Sequence, residues 1–581
     1  MSTQNANFLL ASAFADQCRR WARQANAPEM AVDAAGKAGF ALVMATTEGR
    51  IRISLADAPL PLDGDALFAS GVAGAPASGK PLILDEAGYL YLARHFVAQE
   101  RLNADLLARH RAAPPPPGER ARQMLARLFP ARHAFDEQKH AVALALLRRL
   151  VIINGGPGVG KTSVVARLLA CLLADNPALR VALAAPTGKA AARMQETLRQ
   201  RAQDLPPEII RLLPSEASTL HRLLGLGVEG KTPRHRADNP LPIDVLVVDE
   251  ASMLDLMLAS QLCRALPPNA RLILLGDRAQ LQAVEAGSIF AMLPARAAPS
   301  AATRAALAEL AGDAPPPGAE EARETEPSPL QDALVHLTVS RRFSAESPLG
   351  SLARHLAAGE IPAALALLDR ERAALNCLES SDTRLLTAEI ELLAAGYAAY
   401  WEALANWRAD ADPAPLFQAL ARFRVLCVIR DGERGVSGVN HALDAIRARK
   451  TAGRGECGLP ILIQRNDVAL RLFNGDVGIV LERGGENALD VCFPDDAANV
   501  GTYRWLPLSR LPAWEAAFAM SVHKAQGSEF ERIALVLPGR DNPLMTRELV
   551  YTAITRARQG ISLLGNRALL QGAIAREQKA N

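Results

Sequence analysis

A glycine-rich segment, Gly155-Gly-Pro-Gly-Val-Gly-Lys-Thr162, contains the residue types that bind phosphate groups. It fits the pattern G-x-x-x-x-G-K-S/T at every fixed position. Glycines let backbone N–H groups converge on phosphate oxygens, a lysine adds positive charge, and a threonine hydroxyl can bind Mg²⁺. We therefore expect a nucleoside triphosphate to bind along Gly155, Gly156, Pro157, Gly158, Val159, Gly160, Lys161, Thr162 and Ser163.

The neighbouring residues place this segment between a strand and a helix. Before it, residues 151–153 (Val-Ile-Ile) form an apolar, β-branched run typical of a buried parallel strand. After it, apolar residues recur at helical spacing, at Val164, Val165, Leu168, Leu169 and Leu172. A phosphate-binding loop requires this order, because the helix N-terminus adds its positive dipole.

Acidic and amide side chains follow two further apolar runs. Residues 245–248 (Val-Leu-Val-Val) predict a buried strand that ends in Asp249 and Glu250. Asp249 is placed to hold Mg²⁺, directly or through water, and Glu250 to polarise an attacking water. Gln280, in the polar loop after another apolar run, is placed to sense a γ-phosphate. The alternative, a structural acidic turn, fits poorly downstream of a phosphate-binding loop.

Other side chains are candidates for contacts with a base or with a nucleic-acid backbone. The amide of Gln138, shortly before the loop, can read both edges of adenine. Two later segments supply residues that suit a phosphodiester backbone: Thr187, Lys189, Arg193 and His221. Taken alone, an ordinary loop and helix face would explain these four equally well.

The composition limits the class of protein. The chain has 581 residues, 49% of them hydrophobic, and is long enough for about three to four domains. Its net charge is only +3, so any nucleic-acid surface must be local. Seven scattered cysteines without a C-x-x-C pair argue against a zinc site and a disulfide framework. No basic leader and no apolar run of ~18 residues is evident, so we expect a cytoplasmic protein.

Proline-rich and alanine-rich segments divide the first part of the chain. Residues 1–110 predict a separate N-terminal docking unit, with strands at residues 41–44, 51–55, 81–85 and 89–94. Residues 112–118, with four consecutive prolines, predict an extended linker. A nucleotide-binding domain is expected at residues 119–335. Its last part, about 295–330, is rich in alanine and proline and predicts a surface insertion or flexible loop.

A second domain is expected at residues 336–581. Helices are predicted through residues 349–408, and residues 423–429 form the first clear strand. Short apolar runs and the turn sequence Asn474-Gly475 predict an inserted β unit at about 436–515. A later helix carries Arg556, which could reach a γ-phosphate across a domain cleft. A solvated helix arginine is the alternative.

Four stretches together resemble the superfamily 1 helicases, and more closely the family of exodeoxyribonuclease V alpha subunits. They are the phosphate-binding segment, residues 185–194, residues 472–478, and Ser521-Val-His-Lys-Ala-Gln-Gly-Ser-Glu-Phe530 with its partner at residues 551–558. Residues 90–94 also look like the family members that dock onto partner subunits. The insert at 295–330 departs from the family.

The resemblance implies an α/β fold with two RecA-like P-loop domains, an inserted small SH3-like β-barrel and an N-terminal α/β docking domain. ATP and Mg²⁺ are then expected between the two domains, with the metal at Thr162 and Asp249. The resemblance assigns catalytic roles to Lys161, Asp249, Glu250, Gln280, Arg342 and Arg556. It adds nucleotide contacts at Gln138 and Glu529, and DNA contacts at Thr187, His523 and Lys524.

The implied function is that of an ATP-dependent 5′-to-3′ DNA helicase in double-strand-break recombinational repair and linear DNA degradation. The implied partners are single-stranded DNA and the beta and gamma subunits, RecB and RecC, in a heterotrimer; no membrane partner is expected. No nuclease arrangement of carboxylates with a lysine is evident, so we expect exonuclease activity to need a partner. Two alternatives stay open, a P-loop switch or scaffold and an RNA helicase.

Overall fold

The structure is a computed structural model that describes most of the chain. The residues described are 3–56, 62–130, 135–226, 232–283, 285–290, 299–312, 329–340, 347–451, 455–467, 469–483, 489–495 and 502–577. Within them the chain forms four β-sheets, two of them entirely parallel. In this part of the chain, no helix has the length and apolar character that crossing a membrane requires.

The N-terminal unit combines a helical hairpin with a small mixed sheet. Its helices are α1 (Thr3–Gln24), α2 (Glu29–Thr47), α3 (Gly64–Ala69) and α4 (Ala93–Arg111). Its strands are β1 (Arg52–Ser54), β2 (Ala73–Gly74), β3 (Leu82–Leu84) and β4 (Tyr89–Leu92). They lie in the order β1-β4-β3-β2, which confirms the three strands predicted after residue 50.

The strand predicted at residues 41–44 is wrong, because this run lies inside helix α2. The buried residues of α2 follow helical spacing, as Val32, Ala35, Ala38 and Leu42 illustrate. The helix packs closely on α1: a Cβ atom added at Gly39 would lie 2.7 Å from the Cys18 sulfur. Four consecutive apolar residues fit a buried helix as well as a strand, so their pattern alone does not decide.

The first parallel sheet has the order β10-β5-β9-β8-β6-β7. Its strands are β5 (Leu150–Gly155), β6 (Val181–Ala185), β7 (Ala217–Thr219), β8 (Val245–Val248), β9 (Arg271–Gly276) and β10 (Leu334–Leu337). Its helices are α5 (Glu119–Leu128), α6 (Glu137–Leu147), α7 (Lys161–Asp175), α8 (Gly188–Ala202), α9 (Pro207–Ile210), α10 (Leu220–Leu224), α11 (Leu256–Ala265) and α12 (Ala301–Ala311). Apolar strands buried on both faces explain why the predicted runs contain almost no polar residues.

Helix α4 fixes the N-terminal unit to this first sheet domain. Leu102 and Leu106 of α4 belong to the same buried cluster as Leu246 of β8 and Leu262 of α11. The buried Arg109 donates from Nη1 to the carbonyl oxygen of Pro267 at 3.0 Å. The helices α1 and α2 and the small sheet of the N-terminal unit have a buried core of their own, and α4 anchors this unit to the neighbouring domain.

The alanine-rich region near residue 300 contains the helix α12, where a surface insertion or flexible loop was expected. Ser300 caps this helix by accepting from the Thr303 N–H at 3.2 Å. Leu307 and Ala311 are buried in the core that also holds the inner face of α6. The expectation is wrong for this part because alanine is the strongest helix former. Residues 313–328 lie outside the described residues.

The second half of the chain contributes the other two sheets. Its strands are β11 (Leu375–Glu379), β12 (Phe423–Cys427), β13 (Pro460–Ile463), β14 (Val477–Glu482), β15 (Leu489–Pro494), β16 (Tyr503–Pro507), β17 (Trp514–Ala516), β18 (Ala519–Ser521), β19 (Phe530–Val536) and β20 (Ala557–Gly565). Its helices are α13 (Pro348–Ala358), α14 (Ile361–Arg370), α15 (Thr387–Gly396), α16 (Ala398–Ala405), α17 (Ala414–Arg422), α18 (Val436–Lys450), α19 (Arg547–Ile554) and α20 (Arg567–Ala575).

The second parallel sheet has the order β11-β20-β19-β12-β18. Its register aligns Ile533 of β19 with Ile561 of β20, so two buried residues stand side by side. The strand expected to come first, at residues 423–429, is preceded by β11. This earlier strand lies at the sheet edge and contains Asn376, Cys377 and Glu379, so its sequence lacks the continuous apolar run of a central strand.

The remaining sheet is antiparallel, in the order β16-β15-β14-β13-β17. The interval expected to hold this inserted unit, about 436–515, begins with helix α18, and the strands start only at residue 460. The turn predicted at Asn474-Gly475 is present: Gly475 has a φ of +100°, and the Asp476 N–H donates to the Phe473 carbonyl at 3.0 Å.

A buried ion pair ties the second domain together. Arg434 and Glu389 meet through two hydrogen bonds of 2.8 Å, and both side chains are almost fully buried. Arg434 also donates to the carbonyl of Leu537 at 2.8 Å and to that of Leu564 at 3.1 Å. The guanidinium thus joins helix α15 to the ends of β19 and β20.

We expect Arg434→Ala to destabilise the second domain by about 3–5 kcal/mol, because it leaves Glu389 buried without its partner. The measurement is native-state hydrogen exchange of the β19 and β20 amides. The double variant Arg434→Met/Glu389→Gln is the control, since it removes both charges and should lose less. Equal losses in the two variants would contradict this account.

Candidate nucleotide cleft and strand-binding surface

The glycine-rich segment forms a tight loop between β5 and α7. Gly158 and Gly160 have φ values of +80° and +87°, which side-chain-bearing residues rarely adopt. A Cβ atom on Gly155 would lie 2.8 Å from the Val159 side chain. Helix α7 begins at Lys161, so the N-terminus of the helix points into the loop. The geometry is that of an anion-binding site made from backbone amides.

The polar side chains of this loop lie at its rim. Lys161 Nζ donates to the carbonyl oxygens of Gly155 and, at 3.3 Å, Gly156. Thr162 and Ser163 are half-buried in the first turn of α7, beside the lysine. The loop therefore presents one cation and two hydroxyls next to its amides. These groups fit the phosphates of a nucleotide and a bound Mg²⁺.

Gln138 is buried directly behind the loop. Its amide nitrogen donates to the Val159 carbonyl at 2.8 Å, and its amide oxygen accepts from Arg167 at 3.0 Å. Asp136 caps α6 by accepting from the Gln138 N–H at 2.9 Å. In this structure the predicted adenine-reading side chain is engaged with the loop itself.

Asp249 and Glu250 follow the carboxyl end of β8, separated from the loop strand by β9. Burial and, to a smaller extent, the neighbouring Glu250 carboxylate raise the pKa of Asp249 to about 6, while Lys161 opposes the shift. Glu250 has a φ of +50°, a strained conformation for a residue with a side chain. The turn therefore places both carboxylates after the end of β8, with Asp249 near enough to Lys161 for their charges to interact, an arrangement that suits a metal and water site.

A buried hydrogen-bond network joins the two parallel-sheet domains at this cleft. Arg556, after α19, donates to the Gln280 amide oxygen at 2.9 Å. Gln280 in turn donates to Asp277 at 3.0 Å, and Tyr551 of α19 donates to the same carboxylate at 3.1 Å. None of the four is more than 5% exposed. The structure thus brings Gln280 and Arg556 together as predicted.

Sequence reasoning did not assign two members of this network, Asp277 and Tyr551. A Cβ atom on Gly156 would lie 3.0 Å from the Tyr551 hydroxyl, so this tyrosine touches the phosphate-binding loop from the opposite domain. Asp277 directly follows β9, as Asp249 follows β8. A polar residue at the carboxyl end of a parallel strand was the available signal.

Arg193 and Glu529 meet across the same cleft. Arg193 forms an ion pair with Glu529 and donates to the Gly527 carbonyl at 3.0 Å. The other Glu529 oxygen accepts from Arg558 at 2.9 Å. Arg193, predicted to contact a nucleic-acid backbone, therefore lies against the second domain. Arg342, the other arginine assigned by resemblance, lies outside the described residues.

The remaining residues that are predicted to contact a nucleic-acid strand lie after the carboxyl ends of β6, β7 and β18. The Thr187 hydroxyl caps α8 by accepting from the Ala190 N–H at 3.2 Å. His221 is exposed on α10, and His523 is half-buried, with its pKa lowered by burial. Lys524 Nζ donates to Glu515 at 2.8 Å. The two domains approach each other here, since a Cβ atom added at Gly527 would lie 3.7 Å from Ala190.

Lys189 is half-buried at the start of α8. Burial, together with the cations of Arg424, Arg193 and Arg556, lowers the pKa of Lys189 to about 8, while the Asp476 carboxylate opposes the shift. A Cβ atom added at the neighbouring Gly188 would lie 3.7 Å from the nearest ring carbon of Phe473. This surface therefore combines concentrated positive charge with a partly exposed aromatic ring.

Two parallel sheets that share one phosphate-binding cleft, with an arginine of one domain reaching the other, define a two-domain nucleotide-driven motor of the superfamily 1 helicase class. Residues 138–286 match the AAA domain family, and residues 516–564 match the UvrD-like helicase C-terminal domain. The two matches fall on opposite sides of the cleft.

Similar proteins identify the family more closely. The chain is 35% identical to the RecBCD enzyme subunit RecD of Mycolicibacterium smegmatis, over 90% of this chain and 87% of that protein. It is also 35% identical to the RecD subunit of Haemophilus influenzae, over 79% and 73%. The ATP-dependent RecD2 DNA helicase of Deinococcus radiodurans is 31% identical, over 92% and 62%. This chain belongs to the RecD family.

A solved structure gives a more distant comparison. The Pif1 helicase from Candida albicans aligns with 78% of this chain and 98% of its own, at 15% identity and a TM-score of 0.39. That score is too low to compare the arrangement of the domains.

Proposed function

We propose that this chain is the ATP-dependent 5′-to-3′ DNA helicase subunit of a RecBCD-type helicase–nuclease complex, acting in double-strand-break repair and linear DNA degradation. The contact between Arg556 and Gln280 carries the proposal, because it places an arginine of one domain at the nucleotide site of the other. The family relation supports DNA as the substrate, since one related protein is named as an ATP-dependent DNA helicase.

Different residues of the cleft have different roles in ATP hydrolysis. Lys161 and the loop amides bind the β- and γ-phosphates, and Glu250 orients the attacking water. Thr162 and Asp249 are the residues that would hold Mg²⁺, which supplies charge neutralisation at the phosphate oxygens when bound. Gln280, Arg556 and Arg342 sense the γ-phosphate. Gln138 and Glu529 flank the nucleotide.

Hydrolysis is coupled to movement through closure of the cleft. The γ-phosphate attracts the second domain's arginine toward the first domain, so ATP favours the closed arrangement and hydrolysis releases it. The single-stranded DNA is bound from both sides of the cleft. The first domain contributes Thr187, Lys189 and His221, and the second domain contributes His523 and Lys524. Backbone contacts make this grip independent of base sequence.

The other parts of the chain serve the complex. The N-terminal unit is the docking domain for RecB or RecC. Its surface exposes apolar side chains with exposed fractions of 54–75%: Phe8, Leu9, Leu10 and Met30. Exposed apolar surface of this kind marks protein interaction sites. We assign the antiparallel sheet at residues 460–516 as the SH3-like unit. Its position near the proposed DNA-binding surface supports this assignment, since a Cβ atom added at Gly188 would lie 3.6 Å from the Phe473 Cβ atom.

The test of the function is ATP hydrolysis and strand separation by the full chain, with duplexes that carry a 5′ or a 3′ overhang. We expect stimulation by single-stranded DNA and unwinding from the 5′ overhang alone. Lys161→Gln should lower turnover about 100-fold or more while the fold persists. ATP binding without DNA stimulation, also in the complex with the partner subunits, would favour a P-loop switch. Preference for an RNA strand would favour an RNA helicase.

Glu250→Gln separates binding from hydrolysis. We expect the variant to bind ATP as tightly as the wild type, because the phosphate contacts remain. Turnover should fall about 100-fold, since water activation is lost. The measurements are equilibrium nucleotide binding and steady-state hydrolysis, with the surface substitution Glu208→Gln as a matched control. Loss of ATP binding in Glu250→Gln would contradict the division of roles.

The lowered pKa of Lys189 predicts a pH-dependent grip on DNA. Lys189 loses its charge as the pH rises through about 8, whereas His523 is already neutral in this range. Between about pH 7 and about pH 9.5, the slope of log affinity against log salt should therefore decrease by about 1. Fluorescence anisotropy with a labelled oligonucleotide measures this slope. Lys189→Arg keeps its charge, so an equal change in that variant would contradict the prediction.

A further inference from the structure

We propose that Arg193 is a positioning residue that couples strand binding to the nucleotide cleft through its ion pair with Glu529. The proposal rests on the function proposed above and replaces the direct DNA contact expected for Arg193. The proposal is based on the position of the Arg193 guanidinium. It lies between the proposed DNA-binding segments of the two domains and near the carboxylates of Asp249 and Glu250.

Arg193 shares a helix with a predicted DNA contact. Lys189 and Arg193 are four residues apart on α8, so their side chains lie on the same face of the helix, one turn apart. Lys189 lies in the first turn of α8, at the end of the helix that we propose to bind DNA. Arg193 stands one turn further on, against the second domain. A shift of α8 on strand binding therefore moves both side chains together.

The partners of Arg193 come from a short segment of the second domain, Gly527 to Glu529. Arg193 donates to the Gly527 carbonyl at 3.0 Å and pairs with Glu529. The Glu529 side chain is only 8% exposed and is also held by Arg558. Lys524, a predicted DNA contact, lies immediately before this segment. The ion pair thus connects the strand-binding segments of both domains.

Arg193 also faces the residues that act on ATP. Burial lowers the pKa of its guanidinium and Arg556 lowers it further, while the carboxylates of Glu250 and Asp249 oppose the shift. Its charge therefore contributes to the field at the acidic pair. Because Arg193 and Glu529 belong to different domains, they can pair only while the cleft is closed. An effect that strengthens the Arg193–Glu529 ion pair therefore favours the closed cleft, and closure of the cleft in turn stabilises the ion pair.

The test measures the stimulation of ATP hydrolysis by saturating oligo(dT) in the full chain. We expect Arg193→Gln and Glu529→Gln each to lower this stimulation about tenfold. The double variant should be no worse than the poorer single variant, because the Arg193–Glu529 pair is already lost in either single variant. Arg199→Gln, an exposed arginine on the same helix, is the matched control and should respond like the wild type.

Three results in these variants would overturn the proposal. One is a double variant whose loss equals the product of the single losses. Another is an Arg193→Gln variant that binds oligo(dT) more weakly but is fully stimulated at saturation, which would restore Arg193 as a phosphate contact. Arg193→Lys guards against misfolding of the Gln variant: it keeps the charge and should retain more stimulation than Arg193→Gln, and an equal or lower value would also overturn the proposal.

The wild-type chain separates this proposal from the function on which it rests. If single-stranded DNA does not stimulate hydrolysis in the wild type, the motor function fails and the coupling role of Arg193 fails with it. If the wild type is stimulated and the Arg193 variants respond like Arg199→Gln, only the coupling role fails.

Discussion

The structure depends on buried polar groups that hydrogen-bond to one another across the cleft. Asp277, Gln280, Tyr551 and Arg556 are almost fully shielded from water, and each hydrogen-bonds within the network that joins the two domains. A buried polar group without a partner costs about 1–3 kcal/mol. The domains cannot part at this point unless water or a ligand replaces these contacts. The nucleotide site therefore lies where the relative position of the domains has the largest energetic consequence.

The chemistry of the cleft could be predicted from sequence because it depends on local order. A strand, a turn with glycine at positions that need a positive φ, and a helix determine the position of Lys161, and an apolar strand determines that of Asp249. Elements without a single clear periodicity were predicted less well. Residues 41–44 belong to a buried helix, the edge strand β11 lacks an apolar run, and the alanine-rich region folds into α12.

Contacts between distant segments could not be derived from local patterns. Arg193 looked like a phosphate contact because of its neighbours in sequence, yet its partners are Gly527 and Glu529. Gln138 looked free to read a base, but its amide supports the loop and accepts from Arg167. A guanidinium or an amide suits several partners equally well. Only the packing of the domains decides which partner it meets.

The anchoring of helix α4 has a mechanical consequence. Because Leu102 and Arg109 attach helix α4 to the first sheet domain, a force on the N-terminal unit is transmitted to that domain through this helix. An assembly that binds the N-terminal unit would therefore also restrain the first domain. Closure of the cleft would then move the second domain relative to that assembly, rather than moving both domains relative to the solvent.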